Sequence, residues 1–250
     1  MVNSKTRKHK EKYTAIIIEP RKHKALEFVL KNFLTNLNND WSIIIFHGNL
    51  NKEYIKNIID KSLTKYKDRI TLKSIHKDNL YTSEYSQLLT SKDFYKQIPT
   101  ETFMVFQTDT MIIPKNKNNL QKFLKYDYVG APLILRNVGN GGLSLRKKSK
   151  MLEIIDKIPY LHIPTIKSSH FIDYEDLYFS LSFHYAVFAF FNNVTVEKPS
   201  AEKAELFSSE YYVNPKSFAT HAVWKNNNID DLKKIYPDIE ILKNLQSVEK

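Results

Sequence analysis

A chain of 250 residues with 42% hydrophobic and 13% aromatic side chains is long and apolar enough to bury the core of a complete enzyme. The absence of cysteine excludes a disulfide framework, a thiolate metal site and a cysteine nucleophile, and no apolar run approaches the roughly 18 residues of a membrane span. A net charge of +11 points to anionic ligands, although Lys5, Arg7, Lys8, Lys10 and Lys12 crowd the first twelve positions and the remaining basic residues are scattered among acids.

Residues 1–12 read as a basic, flexible tail without the apolar stretch and cleavage site of a signal peptide, and residues 13–250 as one domain. Residues 13–19 form a strand-length apolar run, after which Leu26, Val29, Leu30, Phe33, Leu34 and Leu37 recur with helical spacing. The pattern repeats with a strand at 42–46 and a helix over 52–66. A strand at 70–75, helical segments between 83 and 96, and a strand at 102–107 follow. Strands alternating with helices predict an α/β fold with a mainly parallel sheet covered on both faces. Beyond residue 126 the rhythm changes to short strands, glycine-rich turns and shorter helices, an elaboration built onto the same sheet.

In such sheets ligands bind beyond the carboxyl ends of the strands, which selects the residues from Glu19 to Arg21, His47 and Gly48, and Gln107 to Thr110. Asp109, flanked by Gln107 and Thr108, is placed either to hold a divalent cation that bridges phosphates or to cap the segment that follows. The chain has only 5 glycines, and four of them, Gly130, Gly139, Gly141 and Gly142, fall within one short stretch. In Gly139-Asn-Gly-Gly-Leu-Ser-Leu-Arg146 they allow backbone N–H groups to approach a ligand. Asn140 and Ser144 add groups suited to sugar hydroxyls or phosphate. Glu175 and Asp176 open an apolar helical run, where one can act as a general base or both can serve the helix dipole. His221 can complete a metal site with a carboxylate from the fourth strand, and Trp224 offers a flat face to a sugar ring.

Taken together, Ile18-Glu-Pro-Arg21, Val29-Leu-Lys-Asn-Phe-Leu34, Phe46-His-Gly48, Phe106-Gln-Thr-Asp109, Tyr126-Asp-Tyr-Val-Gly-Ala-Pro132, the Gly139 to Arg146 stretch, Glu175-Asp176 and residues 218–224 stand in a telling order. Across roughly residues 13–225 the chain resembles a glycosyltransferase-like family of giant viruses, bacteria and fungi, long catalogued as a domain of unknown function. The resemblance implies a GT-A type domain, Rossmann-like in its N-terminal half with a mixed acceptor-side half. It implies an enzyme taking a UDP-sugar, UDP-glucose first, with Mn²⁺ or Mg²⁺ as cofactor. Asp109 stands in the place of the Asp-x-Asp metal motif, with Gln107 replacing its first Asp, and His221 is the late metal ligand. Glu19, Arg21, His47, Gln107, Thr108, Asn140, Gly141, Gly142 and Trp224 would line the donor site. Asp176 or Glu175 would deprotonate the acceptor if transfer inverts the anomeric centre, and would orient the sugars if it retains. The family's lysine after the late histidine is Ala222 here, which leaves the diphosphate contact to another residue such as Lys225.

The bias toward Lys, Asn and Ile is similar to that of mimivirus-like giant viruses, whose glycosyltransferases include ones acting on collagen-like proteins. That implies a glycosylated or hydroxylated protein acceptor, galactosyl-hydroxylysine above all, met in the cytoplasm, a viral factory or the virion. Nucleic acid is not expected as a partner. The alternatives are a basic nucleic-acid-binding module and an inactive glycosyltransferase-fold scaffold or lectin.

Overall fold

The computed structural model describes residues 11–160 and 174–249. The expected tail lies outside the described residues except for its last two positions, where Lys12 approaches Asp40 at 3.4 Å. In chain order the elements are β1 (Tyr13–Glu19), α1 (Leu26–Asn36), β2 (Trp41–His47), α2 (Lys52–Ser62), β3 (Ile70–Ser74), α3 (Thr82–Leu89), α4 (Lys92–Lys96), β4 (Thr102–Phe106), β5 (Thr110–Ile112), β6 (Tyr128–Gly130), β7 (Leu143–Lys147), α5 (Lys148–Lys157), α6 (Glu175–Phe179), α7 (His184–Phe191), α8 (Ala201–Ala204), β8 (Ser208–Ser209), β9 (Ala219–His221), α9 (Ile229–Ile235) and α10 (Ile239–Asn244).

The apolar runs become the centre of a six-stranded sheet of order β3-β2-β1-β4-β7-β6. The first four strands in that order are parallel, and β7 and β6 extend the sheet antiparallel beyond β4. Successive side chains of β1 serve opposite faces. Ala15 and Ile17 pack with Leu30 and Phe33 of α1 and Ile55 of α2, whereas Ile16 and Ile18 pack with Phe94 of α4, Met151 of α5 and Phe179 of α6. Both faces are therefore covered, which is why β1 and β2 are continuously apolar from Ala15 to Ile18 and from Ile43 to Phe46 rather than alternating.

The helix expected over 52–66 ends at Ser62, and a 3-10 segment, Thr64–Arg69, follows. The Thr64 hydroxyl donates to the Asp60 carbonyl at 2.8 Å, and the Arg69 guanidinium is drawn away to the carbonyls of Leu34, Leu37, Asn38 and Trp41. The second half is only partly the expected extension. β6 and β7 join the main sheet, but β5, β9 and β8 form a separate three-stranded sheet.

The chain runs outward from β1 through β2 to β3, then returns to place β4 on the other side of β1. At that reversal the connections diverge and a crevice opens beyond the carboxyl ends of β1 and β4. The C-terminal residues return to its rim: Gln246 Nε2 donates to the Thr108 carbonyl at 2.9 Å, and His23 forms a β-bridge with Val248. Among the described residues no helix is long and apolar enough to cross a membrane.

Candidate functional site

A cleft of about 590 Å³ occupies that crevice. On its β1 side Glu19, almost fully buried, accepts hydrogen bonds from Arg21 Nε at 2.8 Å and Nη2 at 2.9 Å, and from the Arg21 backbone N–H at 2.9 Å. These bonds to Glu19 raise the Arg21 pKa against the effect of burial, so the guanidinium stays charged with its outer edge toward the cleft.

The turn after β4 presents Asp109, and the antiparallel pairing of β5 with β9, Thr110 opposite His221, brings the late histidine to the same point. Asp109 Oδ1 stands 3.3 Å from His221 Nε2, and Oδ2 stands 3.3 Å from Lys225 Nζ. On the far side of the ring, Glu210 Oε1 lies 3.5 Å from Nδ1. Burial alone would lower the His221 pKa, but the two carboxylates outweigh it and push it up to about 10. Burial works against the Asp109 charge, and His221 and Lys225 hold its carboxyl well below the usual range.

The donor set fits a divalent cation. Two neighbouring ligands of one octahedral cation, each about 2.1 Å from it, lie about 3 Å apart. Asp109 Oδ1 and His221 Nε2 have nearly that separation, and a cation would take the place of the imidazolium proton that stands between them. Among the described residues no group of three or more His, Asp or Glu is arranged to hold a cation. A cation here would take its other ligands from phosphate oxygens and water, the usual arrangement for Mg²⁺-like ions.

The glycine-rich turn closes the opposite wall. A Cβ on Gly142 would fall 2.1 Å from His221 Nε2, and one on Gly141 would fall 2.6 Å from Glu175 Oε1. Both glycines are therefore required by close approach. Gly142→Ala is expected to displace the imidazole, costing about 1–3 kcal/mol through overpacking and abolishing any cation-dependent rise in melting temperature. A variant that still responds to Mn²⁺ like the parent would remove His221 from the cation site.

The two adjacent carboxylates have separate environments. Glu175 receives a bidentate fork from the fully buried Arg146, Nη1 to Oε2 at 2.7 Å and Nη2 to Oε1 at 3.0 Å. Asp176 points into the cleft, where Oδ2 accepts the Gly141 N–H at 3.1 Å and Oδ1 accepts the Leu177 N–H at 2.8 Å. Burial and the neighbouring Glu175 push the Asp176 pKa up to about 7, against the pull of these N–H groups and Arg146.

Residues 69–221 match the family described as a protein of unknown function (DUF5672). The chain belongs to that family. The matched stretch covers more than half of the chain and ends at His221 itself. No curated protein sequence matches significantly. Among solved structures, this DUF5672 chain is similar to the glycosyltransferase GlyE of Streptococcus pneumoniae TIGR4, with TM-score 0.55, 8% identity and coverage of 96% of this chain and 61% of that one. The apo form of GlyE gives TM-score 0.54, 10% identity and coverage of 96% and 61%. A mannosyltransferase, PcManGT from Pyrobaculum calidifontis, in complex with GDP-Man and Mn²⁺, gives TM-score 0.49, 11% identity and coverage of 77% and 55%. The DUF5672 chain thus spans 55–61% of the length of these structures. The GlyE likeness establishes the fold: mixed α/β, with the mostly parallel six-stranded sheet of GT-A-like glycosyltransferases.

Of the residues singled out from the sequence, Glu19, Arg21, Gln107, Thr108, Asp109, Asn140, Gly141, Gly142, Glu175, Asp176 and His221 all line the cleft of this DUF5672 chain. His47 does not. It ends β2, one strand away from the crevice, and its buried Nδ1–H donates to the Gly48 carbonyl at 2.7 Å. Trp224 does not line the cleft either; it is partly buried and packs against the apolar core. Glu175 lines the cleft with both of its oxygens accepting from Arg146. Two residues escaped the sequence reading. Glu210 flanks the imidazole, and Tyr85 places a buried hydroxyl at the cleft wall beside Gln107 without a well-formed hydrogen bond. Tyr85 sits in an amphipathic helix with nothing to distinguish it, and only the pairing of β8 with β9 brings Glu210 to His221.

Proposed function

We propose that this protein is a divalent-cation-dependent glycosyltransferase, moving a sugar from a nucleoside diphosphate sugar, UDP-glucose first, to an acceptor hydroxyl. The observation that carries the reading is the buried pairing of Asp109 Oδ1 with His221 Nε2 at 3.3 Å, in the same cleft as a carboxyl whose pKa lies near 7. Asp109 and His221 would hold Mn²⁺ or Mg²⁺. When bound, the cation supplies Lewis-acid stabilisation of the charge that develops on the leaving diphosphate. Lys225, beside Asp109, offers a second positive charge to the same phosphates. The Glu19–Arg21 fork orients the nucleotide at the switch point, and the Gly141–Gly142 turn, packed against Glu175 and His221, lines the same cleft.

Asp176 accepts the proton of the acceptor hydroxyl. As that oxygen forms its bond to the anomeric carbon, the bond from this carbon to the diphosphate oxygen breaks, and its electron pair leaves with the nucleoside diphosphate. With Glu175 forked to Arg146, Asp176 is the carboxylate of the pair that faces the cleft with only backbone N–H partners, which favours single displacement with inversion. The sequence resemblance adds a galactosyl-hydroxylysine of a collagen-like protein as acceptor, and the mechanism requires only that its sugar hydroxyl reach Asp176.

The test is thermal unfolding with UDP, GDP and ADP, each with and without Mn²⁺, repeated for Asp109→Ala. A ligand at about 100 times its Kd adds roughly 2.7 kcal/mol, which moves the melting temperature of a domain this size by about 5–10 °C. A rise specific to UDP with Mn²⁺ and lost in Asp109→Ala is expected. No rise with any nucleotide would leave the inactive scaffold or the nucleic-acid module in its place.

A further inference from the structure

Beyond Asp176 a second concavity, about 760 Å³, adjoins the cleft and differs from it in character. The two share Asn140, Tyr174 and Asp176, so a ligand in the second presents atoms to the same carboxylate. Its remaining walls are mainly apolar: Leu133, Ile134 and Leu135 from the connection between β6 and β7, Leu177 of α6, and Phe183 at the start of α7. Ile134 and Leu135 are 60% and 71% exposed, an unfavourable setting for branched aliphatic side chains unless a ligand covers them. His184 also lines the groove, and Val187 and Phe191 follow it at i+3 and i+7 on the same face of α7. They are 57% and 77% exposed, so the apolar surface of α7 runs about 10 Å along the helix from His184.

We infer that the acceptor is an amphiphile, with a hydroxyl-bearing head that meets Asp176 and a hydrocarbon tail that lies in this groove. The inference rests on the sugar-transfer reading of the cleft and puts an amphiphile in place of the collagen-like acceptor that the sequence resemblance implies. A peptide in the same place would bring a row of backbone N–H and C=O groups that need partners. Among the described residues the polar side chains of the groove, Asn140, Tyr174, Asp176, His184, Glu210 and Tyr211, leave an outer wall of Leu133, Ile134 and Leu135 whose side chains offer a peptide backbone no hydrogen-bonding partner. A tail requires none. The step is the one already written, with the head hydroxyl giving its proton to Asp176 and its oxygen to the anomeric carbon as the diphosphate departs.

The experiment compares octyl β-galactoside, kept below its micellar concentration, with methyl β-galactoside and free galactosyl-hydroxylysine. Rates are measured with UDP-glucose and Mn²⁺, and binding is measured by calorimetry with UDP and Mn²⁺ present. The heads of the two alkyl glycosides are identical, so any difference belongs to the tail. Each buried methylene lowers KM or Kd about fourfold, and three of them lower it about fiftyfold. Leu135→Asp, a surface change whose fold is checked by its melting temperature, is expected to erase the octyl advantage. Equal constants for the octyl and methyl compounds, tighter use of galactosyl-hydroxylysine, no binding of any acceptor, or an undiminished octyl advantage in Leu135→Asp would each overturn the inference while leaving the donor site standing. Failure of UDP with Mn²⁺ to raise the melting temperature is the distinct result that removes the underlying reading, and the acceptor inference with it.

Discussion

Arg146→Met is expected to destabilise the protein by about 3–5 kcal/mol, the range for breaking a buried ion pair by removing one partner. The Arg146 side chain is fully buried, forked onto Glu175, with Nε donating to Ser144 Oγ at 2.8 Å. Its guanidinium lies between the rings of Tyr128 at 5.2 Å and Phe179 at 5.5 Å. Methionine fills much of the volume and retains the ring contacts, so the loss is chiefly electrostatic: Glu175 is left buried and charged with no counterion. For a domain of this size the melting temperature should fall by about 6–20 °C. Arg146→Met combined with Glu175→Gln should recover part of the loss, because the stranded charge is gone. A single variant that melts within about 2 °C of the parent would show that the pair contributes little.

Asp176→Asn is expected to lower kcat by about 10²–10⁴ while the nucleotide-dependent rise in melting temperature persists, the signature of a lost general base. In the parent, kcat/KM should rise with pH along a limb centred near 7, since only the carboxylate can take the proton. The same carboxyl leaves a mark on stability. Its pKa in the folded protein, about 7, lies above the ordinary value of 3.8, so the folded state binds the proton more tightly than the unfolded chain does. The resulting stabilisation is full below about pH 4 and is lost as pH rises through 7. Asp176→Asn carries no such titration, so its stability relative to the parent should climb between pH 4 and 7, by about 4 kcal/mol at most, and level off above. Asparagine gives up one of the two acceptor oxygens, which lowers the whole difference without changing its slope. A difference that stays flat across that range would mean that Asp176 titrates as an ordinary carboxyl and that a rate limb near pH 7 has another origin.

The parallel strands were legible because burial on both faces leaves a plain mark, continuous apolar runs, and β1 is observed at the residues that the run itself delimits. The crevice was legible as a set of strand ends. Which ends matter was not, because strand order decides it. His47 and Glu19 are partners in the register of β1 and β2, yet only Glu19 borders the reversal at β4. The adjacent acids posed a similar limit. Consecutive residues at a helix start point about 100° apart, so one meets Arg146 and the other the cleft, and a sequence does not say which. Arg146 itself looks like the polar face of a strand that alternates from Leu143 to Lys147. Its counterion enters from 29 residues downstream, across a contact that periodicity does not encode.

The pairing of β5 with β9 also sets a timetable. Asp109 and His221 are about 110 residues apart in the chain, so at translation rates of about 5–20 residues per second the ribosome makes the histidine roughly 5–20 s after the aspartate. During that interval the first four strands can already assemble into their parallel sheet, while Asp109 waits at its edge for the strand that delivers its partner. The Asp109–His221 pair is therefore assembled only after β9 has been made, and a nascent or truncated chain that stops short of β9 carries Asp109 without its partner.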